Sequence, residues 1–272
     1  MGWAKYLEDI ASRHNGTSMV QNQFQKQEEI KAWPNSSGAI GQNKLKNRGE
    51  QHMTKLKDFL VTTARPLPVI LLADVSGSMA ANGKIDALND AIQSMIESFA
   101  DEDHSRAEIH VSVIAFGKGG ARLHQPLVPA AEIKWNRVTA AGNTPMGAAF
   151  DVVVKMLEDH DQIPSRAYRP TVILVSDGQP TDDWQEPLQR MLASDRAAKA
   201  SRFVLGIGDD ADPAMLAEFL ADPSARVYSA HEARQIKNFF HWVTMSVTQR
   251  TRSVNPNSVV MVDPMALDDY DF

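Results

Sequence analysis

Pro66-Leu67-Pro68-Val69-Ile70-Leu71-Leu72-Ala73 is an unbroken apolar run that ends on Asp74-Val75-Ser76-Gly77-Ser78. A run of this length, bounded by turn residues, predicts a strand buried on both faces, as in an α/β sheet covered by helices. In open sheets of that kind, ligands bind at the carboxyl ends of the strands. Asp74, Ser76 and Ser78 are therefore expected on the loop leaving this strand. One carboxylate and two neutral hydroxyls suit a hard cation such as Mg²⁺ or Mn²⁺. The same residue types also build turns and cap helices, so this stretch alone leaves both readings open.

The rest of the chain alternates strand and helix patterns. Lys84 to Ala100 carries apolar residues at Ile85, Leu88, Ile92, Met95, Ile96 and Phe99, the spacing of a one-sided helix. Glu108 to Phe116 reads as a strand, and Ala121 to Val128 as an edge strand because of Pro126 and Pro129. Pro145 is expected at the first position of a helix over Met146 to Leu157. Pro170 to Ser176 is a second buried strand, followed by a helix ending near Ala200. Arg202 to Gly208 and Arg226 to Ser229 read as strands, Pro213 to Leu220 and Ala233 to Gln249 as helices. The expected fold class is α/β, a mainly parallel sheet with helices on both faces.

Three regions follow. Residues 1–60 are a polar extension with few aliphatics, expected to be partly disordered or a partner-docking arm. Residues 61–250 form the folded domain, and 251–272 an acidic tail ending Leu267-Asp268-Asp269-Tyr270-Asp271-Phe272. Met53 could serve as an alternative translation start. The net charge is −6, with nine Lys/Arg against six Asp/Glu in residues 1–60, so the remainder carries −9. That acidic body argues against direct nucleic-acid binding. The absence of cysteine removes disulfides, zinc–thiolate sites and cysteine nucleophiles, and fits a reducing compartment. Neither a secretory leader nor a membrane-length apolar run is seen, so a cytoplasmic protein is expected.

Two further loops bear on the chemistry. Ala141-Gly142-Asn143-Thr144-Pro145-Met146-Gly147 places Thr144 just before a helix, and Ser176-Asp177-Gly178 places Asp177 at the exit of a buried strand. Exit loops of parallel strands share one edge, so Asp74, Ser76, Ser78, Thr144 and Asp177 can converge. With these motifs in this order, the sequence resembles the von Willebrand factor A (vWA) family over roughly residues 64–250. The resemblance implies a Rossmann-like, doubly wound, mainly parallel sheet with one antiparallel edge strand, and a metal-ion-dependent adhesion site (MIDAS). In it, Ser76 and Ser78 would ligate Mg²⁺ (or Mn²⁺) directly. Thr144 would do so directly or through water, and Asp74 and Asp177 would hold metal-bound waters. It also implies a protein partner that offers an Asp or Glu carboxylate to the cation. A narrower likeness is carried by Arg65-Pro66-Leu67-Pro68, Gly142-Asn143-Thr144-Pro145-Met146-Gly147 and Asp177-Gly178-Gln179-Pro180-Thr181-Asp182-Asp183-Trp184. It is to bacterial TerY-like vWA proteins, which implies a tellurium-resistance, stress or phage-defence setting beside a kinase and a PP2C-type phosphatase. The extension before Met53 departs from that group. A vWA cofactor subunit of a MoxR-type AAA+ ATPase machine is the alternative.

Enzyme readings find little to stand on. No P-loop or Gly-x-Ser-x-Gly elbow occurs, and the histidines show no His-x-x-x-His pair. Asp182 or Asp183 could be offered as a general base for metal-activated water, but both are expected to cap the helix that follows them. The expectation is a binding module without catalytic residues.

Overall fold

The structure is a computed structural model that describes residues 64–102 and 106–257. The extension over residues 1–60, Met53 and the tail from 258 onward lie outside the described residues, as do the docking roles expected of them.

Strand β1 (Arg65–Val75) leads through a 3₁₀ turn (Gly77–Gly83) into α1 (Lys84–Ala100), then β2 (Ala107–Gly117) and β3 (Gly120–Pro129). A short 3₁₀ turn (Ala130–Glu132) and an irregular stretch precede α2 (Met146–Glu158), β4 (Thr171–Ser176) and α3 (Gln185–Ala193). The domain closes with β5 (Ser201–Ile207), α4 (Pro213–Leu220), β6 (Tyr228–Ala230) and α5 (Ala233–Arg252). The strands make one sheet in the order β3-β2-β1-β4-β5-β6. Only β2 and β3 pair antiparallel, so β3 is the antiparallel edge strand.

The two faces of β1 explain its unbroken apolar run. Leu67, Val69, Leu71 and Ala73 pack into one core with α1 and α5, whereas Ile70 and Leu72 pack into the opposite core with α2, α3 and α4. Alternate residues meet a helical layer on each side, leaving no solvent face for a polar residue. Burying one such aliphatic side chain contributes about 1.5–3 kcal/mol. Among the described residues no helix is long and apolar enough to cross a membrane.

Several boundaries differ from the sequence reading. β1 continues through Asp74 and Val75, with Asp74 in register with Phe116, so the acid stands inside the strand rather than on the loop after it. Pro145 is the N-cap of α2 instead of its first helical residue. Helix α3 stops at Ala193, short of the expected Ala200. There the Glu158 carboxylate accepts the Ser194 hydroxyl (2.8 Å) and the amides of Arg196 (2.9 Å) and Ala197 (3.2 Å), groups a continuing helix would use itself. Burial raises the Glu158 carboxyl, but these donors outweigh it and hold the group below its ordinary value.

At the amino-terminal end of β1, Arg65 Nε donates to Arg166 O (2.6 Å) and Tyr168 N to Pro66 O (2.8 Å). Arg169 N donates to Asn257 Oδ1 (2.8 Å), so residues 64 and 257 both lie beside the 166–169 turn. Buried Arg250 fastens α5 there, donating to Pro256 O (2.8 Å), Thr171 Oγ1 (2.7 Å) and Arg169 O (2.6 Å). Burial, with the Arg169 charge nearby, pushes Arg250 down to about 10, and it stays cationic at neutral pH. At the opposite end, the chain leaves β1 toward β2 and β3 on one side and returns to β4, β5 and β6 on the other. The crevice between the ends of β1 and β4 is therefore the topological switch point, where such sheets bind ligands.

Candidate metal centre

Asp74 is fully buried where β1 ends. Its Oδ1 accepts the Ser76 amide (2.8 Å), an Asx turn that reverses the chain, and its Oδ2 accepts the Ser176 hydroxyl of β4 (2.6 Å). Burial pushes the Asp74 carboxyl above its ordinary value, against the hydrogen bonds from Ser176 and Ser76, and the Asp177 charge adds to the rise. One residue past β4, Asp177 is also fully buried. Ser78 Oγ donates to Asp177 Oδ1 (2.7 Å), Ser76 Oγ lies 3.0 Å from Ser78 Oγ, and Ser76 Oγ stands 3.5 Å from Asp177 Oδ1. The other Asp177 oxygen, Oδ2, accepts Lys84 Nζ (2.8 Å).

Those three oxygens form a triangle with sides of 2.7, 3.0 and 3.5 Å. An octahedral cation with bonds near 2.1 Å needs neighbouring donors about 3.0 Å apart. The donor set thus fits a small hard cation in both spacing and chemistry. Ser76, Ser78 and Asp177 would hold it, with Asp74 ordering the serine loop from behind. Among the described residues no group of three or more His, Cys, Asp or Glu side chains is placed to hold a metal. A site here depends on hydroxyls as much as on acids.

Thr144 reaches the crevice by backbone pairing. Ala141 N donates to Val75 O (2.8 Å), Lys118 N to Ala141 O (2.7 Å) and Gly77 N to Gly142 O (2.8 Å), which lays the 141–142 stretch beside the exits of β1 and β2. Gly142 has φ +84°, and a Cβ there would lie 2.5 Å from Lys118 Cα, so only glycine fits this approach. Thr144 N donates to Thr181 Oγ1 (3.1 Å) and Thr181 N donates to Thr144 O (2.9 Å), a reciprocal tie to the loop after β4. Thr144 Oγ1 lies 4.0 Å from where a Cβ would stand on Gly178 and makes no hydrogen bond among the described residues.

Asp182 corrects another expectation. It does not cap the following helix: the N-cap of α3 is Trp184, with no side-chain cap. Instead its two oxygens accept the amides of Gly147 and Ala148, each at 2.9 Å, so the β4 loop caps α2. The anion meets the positive end of that helix while its loop locks the Thr144 stretch in place. Asp182→Ala is expected to cost about 1–2 kcal/mol, read as a lowered urea midpoint with unchanged slope.

Sequence reasoning missed four positioning residues. Thr181 and Asp182 lie in a quoted motif, but their partners are 37 and 35 residues away. Asn89, buried in α1, donates to Val138 O (2.9 Å) and accepts Val138 N (2.8 Å), holding the irregular stretch that leads to Thr144. Lys84 had one available signal: a cation on the first residue of a helix opposes the helix dipole and calls for a compensating anion.

The molecule is thus a Rossmann-like α/β domain with an oxygen-lined crevice at its switch point. The profile of the von Willebrand factor type A domain matches residues 69–242, and the chain belongs to that family. No curated protein matches it significantly in sequence. Solved structures of similar shape include the pilus adhesin SpaC from Lactobacillus rhamnosus GG in an open conformation. It is 15% identical over 70% of this chain and 31% of that one, with TM-score 0.55. A von Willebrand factor type A protein from Catenulispora acidiphila is 21% identical over 67% of this chain and 42% of that one, TM-score 0.51. Proximal thread matrix protein 1 from the mussel byssus, solved with a zinc-occupied MIDAS motif, is 13% identical over 66% and 48%, TM-score 0.50. At these identities the likeness is one of fold, and this chain spans less than half the length of each.

Proposed function

We propose that this protein is a metal-ion-dependent protein–protein interaction module, in which a divalent cation held by Ser76, Ser78 and Asp177, with Thr144 at its edge, binds a partner's Asp or Glu carboxylate. The observation that carries this reading is the triangle of two serine oxygens and one carboxylate oxygen at the switch point. Neutral hydroxyls leave a bound cation most of its charge, so it attracts an anionic oxygen from outside. Mg²⁺ or Mn²⁺ suits an all-oxygen set. The zinc-occupied motif named for the mussel protein agrees with a divalent occupant. The reading is of binding rather than catalysis. Asp182, a candidate base, spends both oxygens on the α2 amides.

The narrower assignment is to the TerY-like group, in a bacterial cytoplasmic stress-response or defence complex with a kinase and a PP2C-type phosphatase as candidate partners. It rests on the loop motifs around Asp74, Thr144 and Asp177. The test is retention of those two gene-cluster proteins on the immobilised chain. Binding is expected with Mg²⁺ or Mn²⁺, to be lost in EDTA, and to fall about tenfold or more in Thr144→Ala with the fold intact by circular dichroism. Retention that survives both EDTA and Thr144→Ala would sink the proposal.

A further inference from the structure

Lys84 stands on the first residue of α1, after a left-handed Gly83 and no side-chain cap. A cation is disfavoured at that end of a helix. Yet its ammonium is turned into the crevice, 2.8 Å from Asp177 Oδ2, with only 16% of the side chain exposed and Asp177 fully buried. Gly208, in the loop after β5, lies beside it: a Cβ there would stand in van der Waals contact, 3.4 Å from Lys84 Nζ. This is a built contact, drawing on α1, β4 and the β5 loop together.

The contact changes the charge count of the centre. The acids in the hydrogen-bonded cluster are Asp74 and Asp177, and the cation tied to them is Lys84. Counted as ions they sum to −1. A divalent cation brings the loaded centre to +1, and one outside carboxylate brings it to zero. Without Lys84 the loaded centre would already be neutral, and a partner carboxylate would leave it negative.

We propose that Lys84 sets the charge of the metal centre: from the other oxygen of Asp177 it repels the divalent cation and so keeps cation affinity low, and it leaves the loaded centre positive and selective for a carboxylate. This rests on the metal-centre reading given above and deepens it. The two effects have opposite signs, which a merely structural role for Lys84 would not produce.

The experiment titrates Mn²⁺ calorimetrically into the full chain as wild type, Lys84→Met and Lys84→Arg. It then titrates acetate into each Mn²⁺-loaded protein, read by water-proton relaxation. Lys84→Met is expected to bind Mn²⁺ about tenfold more tightly and acetate several-fold more weakly, as loss of a nearby, partly screened charge requires. Lys84→Arg, which keeps the charge, is expected within about twofold of wild type in both. Should Lys84→Met fail to fold, Lys84→Gln gives the same two readouts. Mn²⁺ bound no more tightly by the neutral variant, acetate bound no more weakly, or an arginine variant that behaves like the neutral one each overturns the proposal. Failure of both wild type and Lys84→Met to bind Mn²⁺ overturns the metal-centre reading itself, and this proposal with it.

Discussion

Asp177→Ala should abolish Mn²⁺ binding, lowering affinity by at least about a hundredfold, while leaving the melting temperature in EDTA within a few degrees of wild type. Asp177 Oδ1 is the vertex that both serine oxygens approach, and Oδ2 is the acceptor for Lys84. Truncation removes a donor and also leaves an ammonium facing two hydroxyls, so an arriving cation meets repulsion. Stability is less affected because two terms oppose each other. The buried Asp74 carboxyl loses a like-charged neighbour that raises it, while Lys84 loses its ion pair but is partly exposed and gains water. Titration calorimetry and a thermal melt on the same preparation separate the two effects. Retained Mn²⁺ binding would show that the cation, if any, is held elsewhere.

Gly147→Ala carries the largest expected loss of stability, about 2–4 kcal/mol, or a melting temperature lower by roughly 5–15 °C. On propensity alone the change should help, since alanine is favoured over glycine in a helix by about 1 kcal/mol. The packing decides against it. A Cβ at 147 would lie 2.1 Å from Asp183 O, 2.9 Å from Asp183 C and 3.0 Å from Trp184 Cα. All three are backbone atoms, so no side-chain rotation relieves the clash. The β4 loop must back away from α2, which stretches the Asp182 cap and the Thr144–Thr181 pair together. Weaker Mn²⁺ binding should accompany the loss of stability. A melting temperature equal to or above wild type would mean that this loop yields freely.

The sheet was legible because its signals are local. The run from Pro66 to Ala73 demands helical layers on both faces, and β4 repeats the pattern. Helices α1 and α4 begin and end where periodicity and Pro213 place them. Pro126 and Pro129 marked β3 as an edge. The misplacements arise where a distant group overrides local preference. Glu158, on α2, ends α3 by taking its next amides. Asp182 reads locally as the cap of the helix after it, but the loop folds back so that α2 receives it. At the crevice, residue types and strand exits pointed to Asp74, Ser76, Ser78, Thr144 and Asp177. The structure ties four of these by hydrogen bonds and sets Thr144 beside Gly178. Lys84 and Thr181 could not be read in the same way, because their meaning lies in a partner 93 or 37 residues away.

Both limits of the described chain sit beside the 166–169 turn, whereas the acid-and-hydroxyl cluster sits past the far end of β1. Eleven residues of extended strand at about 3.3 Å each separate the two poles by roughly 30 Å. The described chain thus begins and ends at one pole, and the oxygen cluster stands at the other. A pull applied between those two poles would run lengthwise through the hydrogen-bonded central strands rather than peel an edge.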